Sequence, residues 1–144
     1  MGWRELIALP ELCATPIKAK IDTGARTSAL HAFNLAVENR DGAFWADFEI
    51  HPLQRSRKAS VVVSYPVTGF RRVRSSSGHL ERRPVINTPL RIGSACFDIE
   101  ITLSSRDEMG FRMLLGRAAL RRRFLVDPGR SYLHALVPEP KGRQ

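Results

Sequence analysis

Ala19-Lys20-Ile21-Asp22-Thr23-Gly24-Ala25 reads as the end of a strand that delivers a carboxylate into a sharp turn. Ile17, Ala19 and Ile21 point one way and Lys18 and Lys20 the other, which is the alternation of a strand with one dry face. Glycine at position 24 lets backbone or substrate approach closely, and the Thr23 hydroxyl can fix the turn. An Asp-Thr-Gly triplet alone is only suggestive. Far downstream, Phe111-Arg112-Met113-Leu114-Leu115-Gly116-Arg117 supplies a second element, a short apolar strand ending in Leu-Leu-Gly-Arg. The one credible helix follows at once, from about Arg117 to Arg123, where Ala118, Ala119 and Leu120 are good helix formers.

Outward from these two segments the same alternation recurs. Phe44, Ala46, Phe48 and Ile50 alternate with Trp45, Asp47, Glu49 and His51. Phe97, Ile99, Ile101 and Leu103 stand against Cys96, Asp98, Glu100 and Thr102, and Val61-Val62-Val63 is a β-branched run of the same kind. Candidate strands at short intervals between Gly, Pro and Asn punctuation argue for an all-β barrel or sandwich. No solenoid-period repeat and no low-complexity segment interrupts them.

The 144 residues, 43% hydrophobic and 26% charged, suit a single globular domain with a real core. No apolar run reaches the ~18–20 residues of a membrane span, and the first ten residues lack a secretory apolar segment. A cytoplasmic protein with no membrane partner is expected. The Met-Gly start does not read as a myristoylation signal, since Leu6 stands where Ser or Thr is needed. Cys13 and Cys96 are too few for a disulfide framework and are expected to be buried free thiols. Lys and Arg outnumber Asp and Glu 23 to 14, so the field of +9 favours an acidic partner. The cations gather at Arg71-Arg72-Val73-Arg74, Arg82-Arg83 and Arg121-Arg122-Arg123. Aromatic residues make up only 8% and none falls between Ser75 and Arg83, which argues against a single-strand nucleic-acid binder.

The Asp-Thr-Gly turn and the Leu114-Leu115-Gly116 segment together resemble the retropepsin-like aspartic peptidases. In that fold, a closed β-barrel with one short helix near the C-terminus, the Asp-Thr-Gly loop threads against a hydrophobic-hydrophobic-Gly segment. Gly2-Trp3-Arg4-Glu5, Lys18 to Leu30, Ser75-Ser76-Ser77-Gly78-His79, Arg82-Arg83-Pro84-Val85-Ile86 and Phe124 to Ser131 are similar to one bacterial branch. Its members often carry the label ATP-dependent zinc protease and are associated with ATP-grasp ligases that add glutamate to proteins. The resemblance covers residues 1–137 as one peptidase domain and leaves 138–144 as a polar, Pro-rich tail.

Neither half of that label is legible in the residues. No Gly-x-x-x-x-Gly-Lys-Ser/Thr loop occurs. His31, His51, His79 and His134 are scattered, without a His-Glu-x-x-His pair. No cofactor and no catalytic metal are expected.

The resemblance implies catalysis by Asp22, Thr23 and Gly24. Hydrolysis by aspartates needs two carboxylates about 3 Å apart that share one proton. This chain has one Asp-Thr-Gly; Asp127-Pro128-Gly129 is a poor second because proline replaces the threonine hydroxyl and fixes φ. The second aspartate is therefore expected from a second copy across a two-fold axis, with Thr23 bonding across the dimer. Leu114, Leu115, Gly116 and Arg117 would support the site. A flap hairpin is expected between Val73 and Val85, tipped by Ser75-Ser76-Ser77-Gly78. Ala25, Ser76, Ser77, Gly78, His79 and Arg82 are the expected substrate contacts.

Arg71, Arg72, Arg74, Arg82 and Arg83 flank that hairpin, so an acidic, conceivably glutamate-extended, polypeptide is the expected substrate. The alternative is a catalytically silent basic β-barrel that binds acidic protein partners. One departure from the retroviral pattern stands out. An acidic residue follows Asp-Thr-Gly-Ala there and pairs with the arginine after the downstream glycine; here that position is Arg26. Arg117 must find another acceptor, with Asp107, Glu108 and Asp127 as candidates. The long interval from Asp22 to Gly116 implies inserted strands or loops in the 36–66 region. His31 is read as a structural histidine or a substrate contact.

Overall fold

The computed structural model describes residues 2–53, 57–74, 78–105, 111–120 and 127–132. Eleven strands and one helical turn follow one another: β1 (Gly2–Leu9), β2 (Cys13–Asp22), β3 (Ser28–His31), β4 (Phe33–Arg40), β5 (Ala43–Ile50), β6 (Val61–Pro66), β7 (Gly69–Arg74), β8 (Leu80–Ile92), β9 (Ala95–Ser104), β10 (Met113–Gly116), α1 (Arg117–Leu120) and β11 (Asp127–Ser131). The all-β, retropepsin-like class holds. The helix is present over its first turn, while 121–123 and the tail 138–144 lie outside the described residues.

Eight strands form one sheet in the order β11-β1-β2-β10-β3-β9-β8-β7. The expected closed barrel is only lightly closed. β1 meets β8 through the single pair Ala8↔Arg91, which completes a circuit of six strands and leaves β7 and β11 outside it. β4, β5 and β6 make a separate antiparallel sheet in the interval where added strands were expected.

Both sheets drain into one core. Ile7 and Leu9 of β1, Ile17, Ala19 and Ile21 of β2, and Ile99, Ile101 and Leu103 of β9 join Ala46, Phe48, Ile50 and Val63 of the inserted sheet. Each fully buried side chain of this size contributes about 1.5–3 kcal/mol of transfer free energy. Among the exposed large apolar side chains are Phe44 at a hairpin end, Leu80 where β8 leaves the β7–β8 hairpin, and Val62, which alternation places on the outer face of β6. Cys13 is buried as expected, but Cys96 is exposed. It stands on the outward face of β9 with Asp98 and Glu100, so strand periodicity overrides the general tendency of thiols to be inside. No helix among the described residues is long and apolar enough to cross a membrane.

Candidate active site

Asp22 closes β2, and the strand beside it fixes where its carboxylate lies. β10 runs parallel to β2 with Leu115 opposite Ile21 and Gly116 opposite Asp22, and antiparallel to β3 with Met113 opposite Leu30. Four residues suffice because Met113 and Leu115 are fully buried between the two neighbours. Leu114, Leu115 and Gly116 thus lie against the Asp-Thr-Gly strand.

Gly116 is required here by space. A Cβ at this position would fall 2.5 Å from the Thr27 carbonyl oxygen and 2.8 Å from the Arg26 carbonyl carbon, both backbone atoms. The contact is fixed by hydrogen bonds on either side. Gly116 N–H donates to Ser28 Oγ at 3.1 Å, Arg117 N–H to Ala25 O at 2.7 Å, and Ala118 N–H to Arg26 O at 3.0 Å. Ser28 is buried, and the sequence reading had not singled it out. A hydroxyl one strand away from a glycine amide has no spacing signature.

Within the turn, Gly24 N–H donates to Asp22 Oδ1 at 2.9 Å and Ala25 N–H to Asp22 O at 3.2 Å. Asp22 is half-buried, while Thr23 and Gly24 are exposed. One carboxylate oxygen is therefore oriented by the backbone, and Oδ2 accepts nothing among the described residues. Among the described residues the Arg117 guanidinium meets the turn itself, donating to the Gly24 carbonyl at 3.2 Å. Asp107 and Glu108 lie outside the described residues, as does the Asp127 side chain.

The expected hairpin is present. β7 and β8 pair antiparallel from Gly69↔Val85 to Arg74↔Leu80. Gly78, at φ +87°, turns the chain back into β8, and its carbonyl accepts from Arg74 at 2.9 Å. Ser75, Ser76 and Ser77 lie outside the described residues, and His79 is exposed. The arginines are not equivalent. Arg72, Arg74 and Arg82 are exposed, with Arg82 over the Phe70 ring at 4.1 Å. Arg71 pairs with Glu100 at 2.8 Å. Arg83, counted among the cations facing a substrate, is instead buried and donates to Glu81 at 3.1 Å. A groove of about 280 Å³ lies between β3, β7, β8, β9 and α1, lined by Thr27, Ser28, Arg71, Asn87, Asp98 and Glu100, and it does not include Asp22.

His31 belongs to the interior. It is buried, stacks on Phe33 at 3.8 Å, and Phe33 stacks in turn on His51 at 3.7 Å, with the Arg112 guanidinium 4.8 Å from the Phe33 ring. His51 hydrogen-bonds Glu49 at 3.3 Å, and Asn34 donates to the same carboxylate at 2.6 Å. These two bonds, Asn34 first, hold the Glu49 carboxyl below its usual range. Among the described residues no three His, Cys, Asp or Glu side chains gather as metal ligands.

Residues 1–136 match the family model described as RimB-like, retropepsin-like aspartic endopeptidase RimB. A probable alpha-L-glutamate ligase of Desulfotalea psychrophila is 48% identical over 128 residues, which is 89% of this chain and 28% of that protein. A probable alpha-L-glutamate ligase of Shewanella halifaxensis is 43% identical over 132 residues, 92% of this chain and 29% of that protein. The chain thus spans less than a third of the length of these curated relatives. Among solved structures, Lpg0085 of Legionella pneumophila, a DUF785 protein of unknown function, superposes with a TM-score of 0.74 over 92% of this chain and 95% of that one. At 23% identity that likeness shows the fold.

Proposed function

The chain belongs to the RimB-like family of retropepsin-like aspartic endopeptidases, and from that premise we propose that it hydrolyses peptide bonds as a homodimer, with one Asp22 from each copy. The observation that carries this reading is the oriented, half-buried carboxylate of Asp22 beside Gly116, at a turn whose Thr23 and Gly24 face outward. A second copy related by a two-fold axis supplies the carboxylate that one chain lacks. Two carboxylates that close cannot both ionise, so the pair holds one proton and titrates as a unit. The ionised member takes a proton from the attacking water, and the protonated member hydrogen-bonds the scissile carbonyl. Thr23 bonds across the dimer. The β7–β8 hairpin acts as the flap that excludes water, and Ala25, Gly78, His79 and Arg82, with Ser76 and Ser77, contact substrate.

The exposed Arg72, Arg74 and Arg82 support an acidic polypeptide as substrate. The ligase names of the curated relatives support a glutamate-extended tail, with a glutamate ligase as functional partner. A cytoplasmic setting suits two free cysteines. The test is Asp22→Asn, which is expected to abolish cleavage of a diverse peptide library between pH ~4 and 8 while dimerisation and peptide binding persist. Undiminished cleavage by that variant would remove the aspartic mechanism.

The same ligase names favour a second reading, a catalytically silent β-module that presents acidic polypeptide to a ligase. It differs in its forecast: Asp22→Asn then changes nothing.

A further inference from the structure

The two arginines flanking the Asp22 turn are used differently. Arg117 is committed to the loop through its main-chain N–H and its guanidinium. Arg26 is exposed and makes no hydrogen bond or ion pair among the described residues. Its backbone, by contrast, is fixed. Ala118 N–H binds its carbonyl at 3.0 Å, and Gly116 packs so closely that a Cβ there would meet the Arg26 carbonyl carbon at 2.8 Å. A rigid anchor bearing an unengaged head group suits recognition, because only the side chain has to be ordered when a ligand arrives.

Position limits what that head group can reach. Four residues of chain put the Arg26 and Asp22 Cα atoms within about 14 Å, and the turn closed by Ala25 N–H on Asp22 O shortens this further. A substrate laid extended across Asp22 advances about 3.3 Å per residue. The Arg26 anchor thus lies no more than about four extended residues from the bond to be cut, within range of a substrate side chain two to four residues away. A guanidinium has donors only, and its best complement is a carboxylate held by two N–H groups. It also repels a cation at the same place, reinforced by Arg117.

Resting on the peptidase reading above, we infer that Arg26 is a specificity-determining residue that selects an aspartate or glutamate side chain two to four residues from the scissile bond. The carboxylate that this position lacks among the described residues arrives with the substrate.

The test profiles peptide-library cleavage by the full chain as wild type, Arg26→Gln and Arg26→Glu, with Lys18→Gln as a control for net charge. Wild-type cleavage sites should be enriched in Asp or Glu at one of those positions. Arg26→Gln should lose the enrichment, Arg26→Glu should replace it with Lys or Arg, and Lys18→Gln should keep it. Acidic enrichment that survives in Arg26→Gln, or that is absent from the wild type, overturns the assignment. A second arm is independent of turnover. An octaglutamate peptide should bind Asp22→Asn protein about ten- to a hundredfold more weakly once Arg26→Gln is added, and equal affinity overturns the assignment too. If the wild type cleaves nothing while that binding difference stands, hydrolysis is what has failed and carboxylate recognition survives.

Discussion

The Asp22 turn and the β7–β8 hairpin are built on opposite plans. The turn is over-determined: three donors from Gly116, Arg117 and Ala118 land on Ser28, Ala25 and Arg26, and no side chain larger than hydrogen fits at 116. In the hairpin, β7 is held by one ladder, to β8, exposed cations line it, and it turns at Gly78, around which a Cβ would find nothing within 4 Å. The contrast teaches where a scaffold of this kind puts its rigidity. A carboxylate that must meet its twin needs a fixed backbone, whereas groups that gather a polypeptide gain from reach.

Paired substitutions sharpen that contrast. Gly116→Ala should cost about 3 kcal/mol of stability through overpacking and abolish activity, read as a lowered denaturation midpoint at fixed protein concentration. Gly78→Ala, strained only by its positive φ, should cost about 1 kcal/mol. Equal effects at the two sites would break the comparison. Next in size, Ser28→Ala leaves the buried Gly116 N–H without its acceptor and should cost about 1–3 kcal/mol, with β10 losing hydrogen-exchange protection. The smallest effect belongs to neither region. Glu49 in the inserted sheet has a depressed pKa, so its contribution is present above the ordinary value of about 4.5 and is lost as pH falls through the lowered folded value. Glu49→Gln should thus be slightly less stable than wild type at neutral pH, and the two curves should converge at lower pH.

Much of this was legible in the residues because period-two alternation survives any strand order. Ile17 to Ile21 and Phe97 to Leu103 point as read, and Leu114-Leu115-Gly116 lies against Asp22 as the motif pair implied. What escaped reading depends on side chains meeting across distant strands. The acceptor that Arg117 finds among the described residues is a backbone carbonyl, which no residue type announces. Arg83 looked like its neighbour Arg82, yet β8 runs from an exposed hairpin into the interior there, and residues 83–86 are all buried. His31, Phe33 and His51 stack because the antiparallel β4–β5 hairpin returns His51, one residue past β5, to the start of β4. The exposure of Cys96 follows from the same alternation, which sets it opposite the apolar face of β9.

The shared-proton pair can be tested by mixing. Wild-type and Asp22→Asn chains, unfolded together and refolded in varied ratios at constant total protein, form dimers at random. Cleavage should fall as the square of the wild-type fraction, so that an equal mixture keeps about one quarter of full activity, the statistical share of dimers with two intact chains. A linear fall, with half the activity kept at the same ratio, would mean that each subunit works alone and would contradict the account.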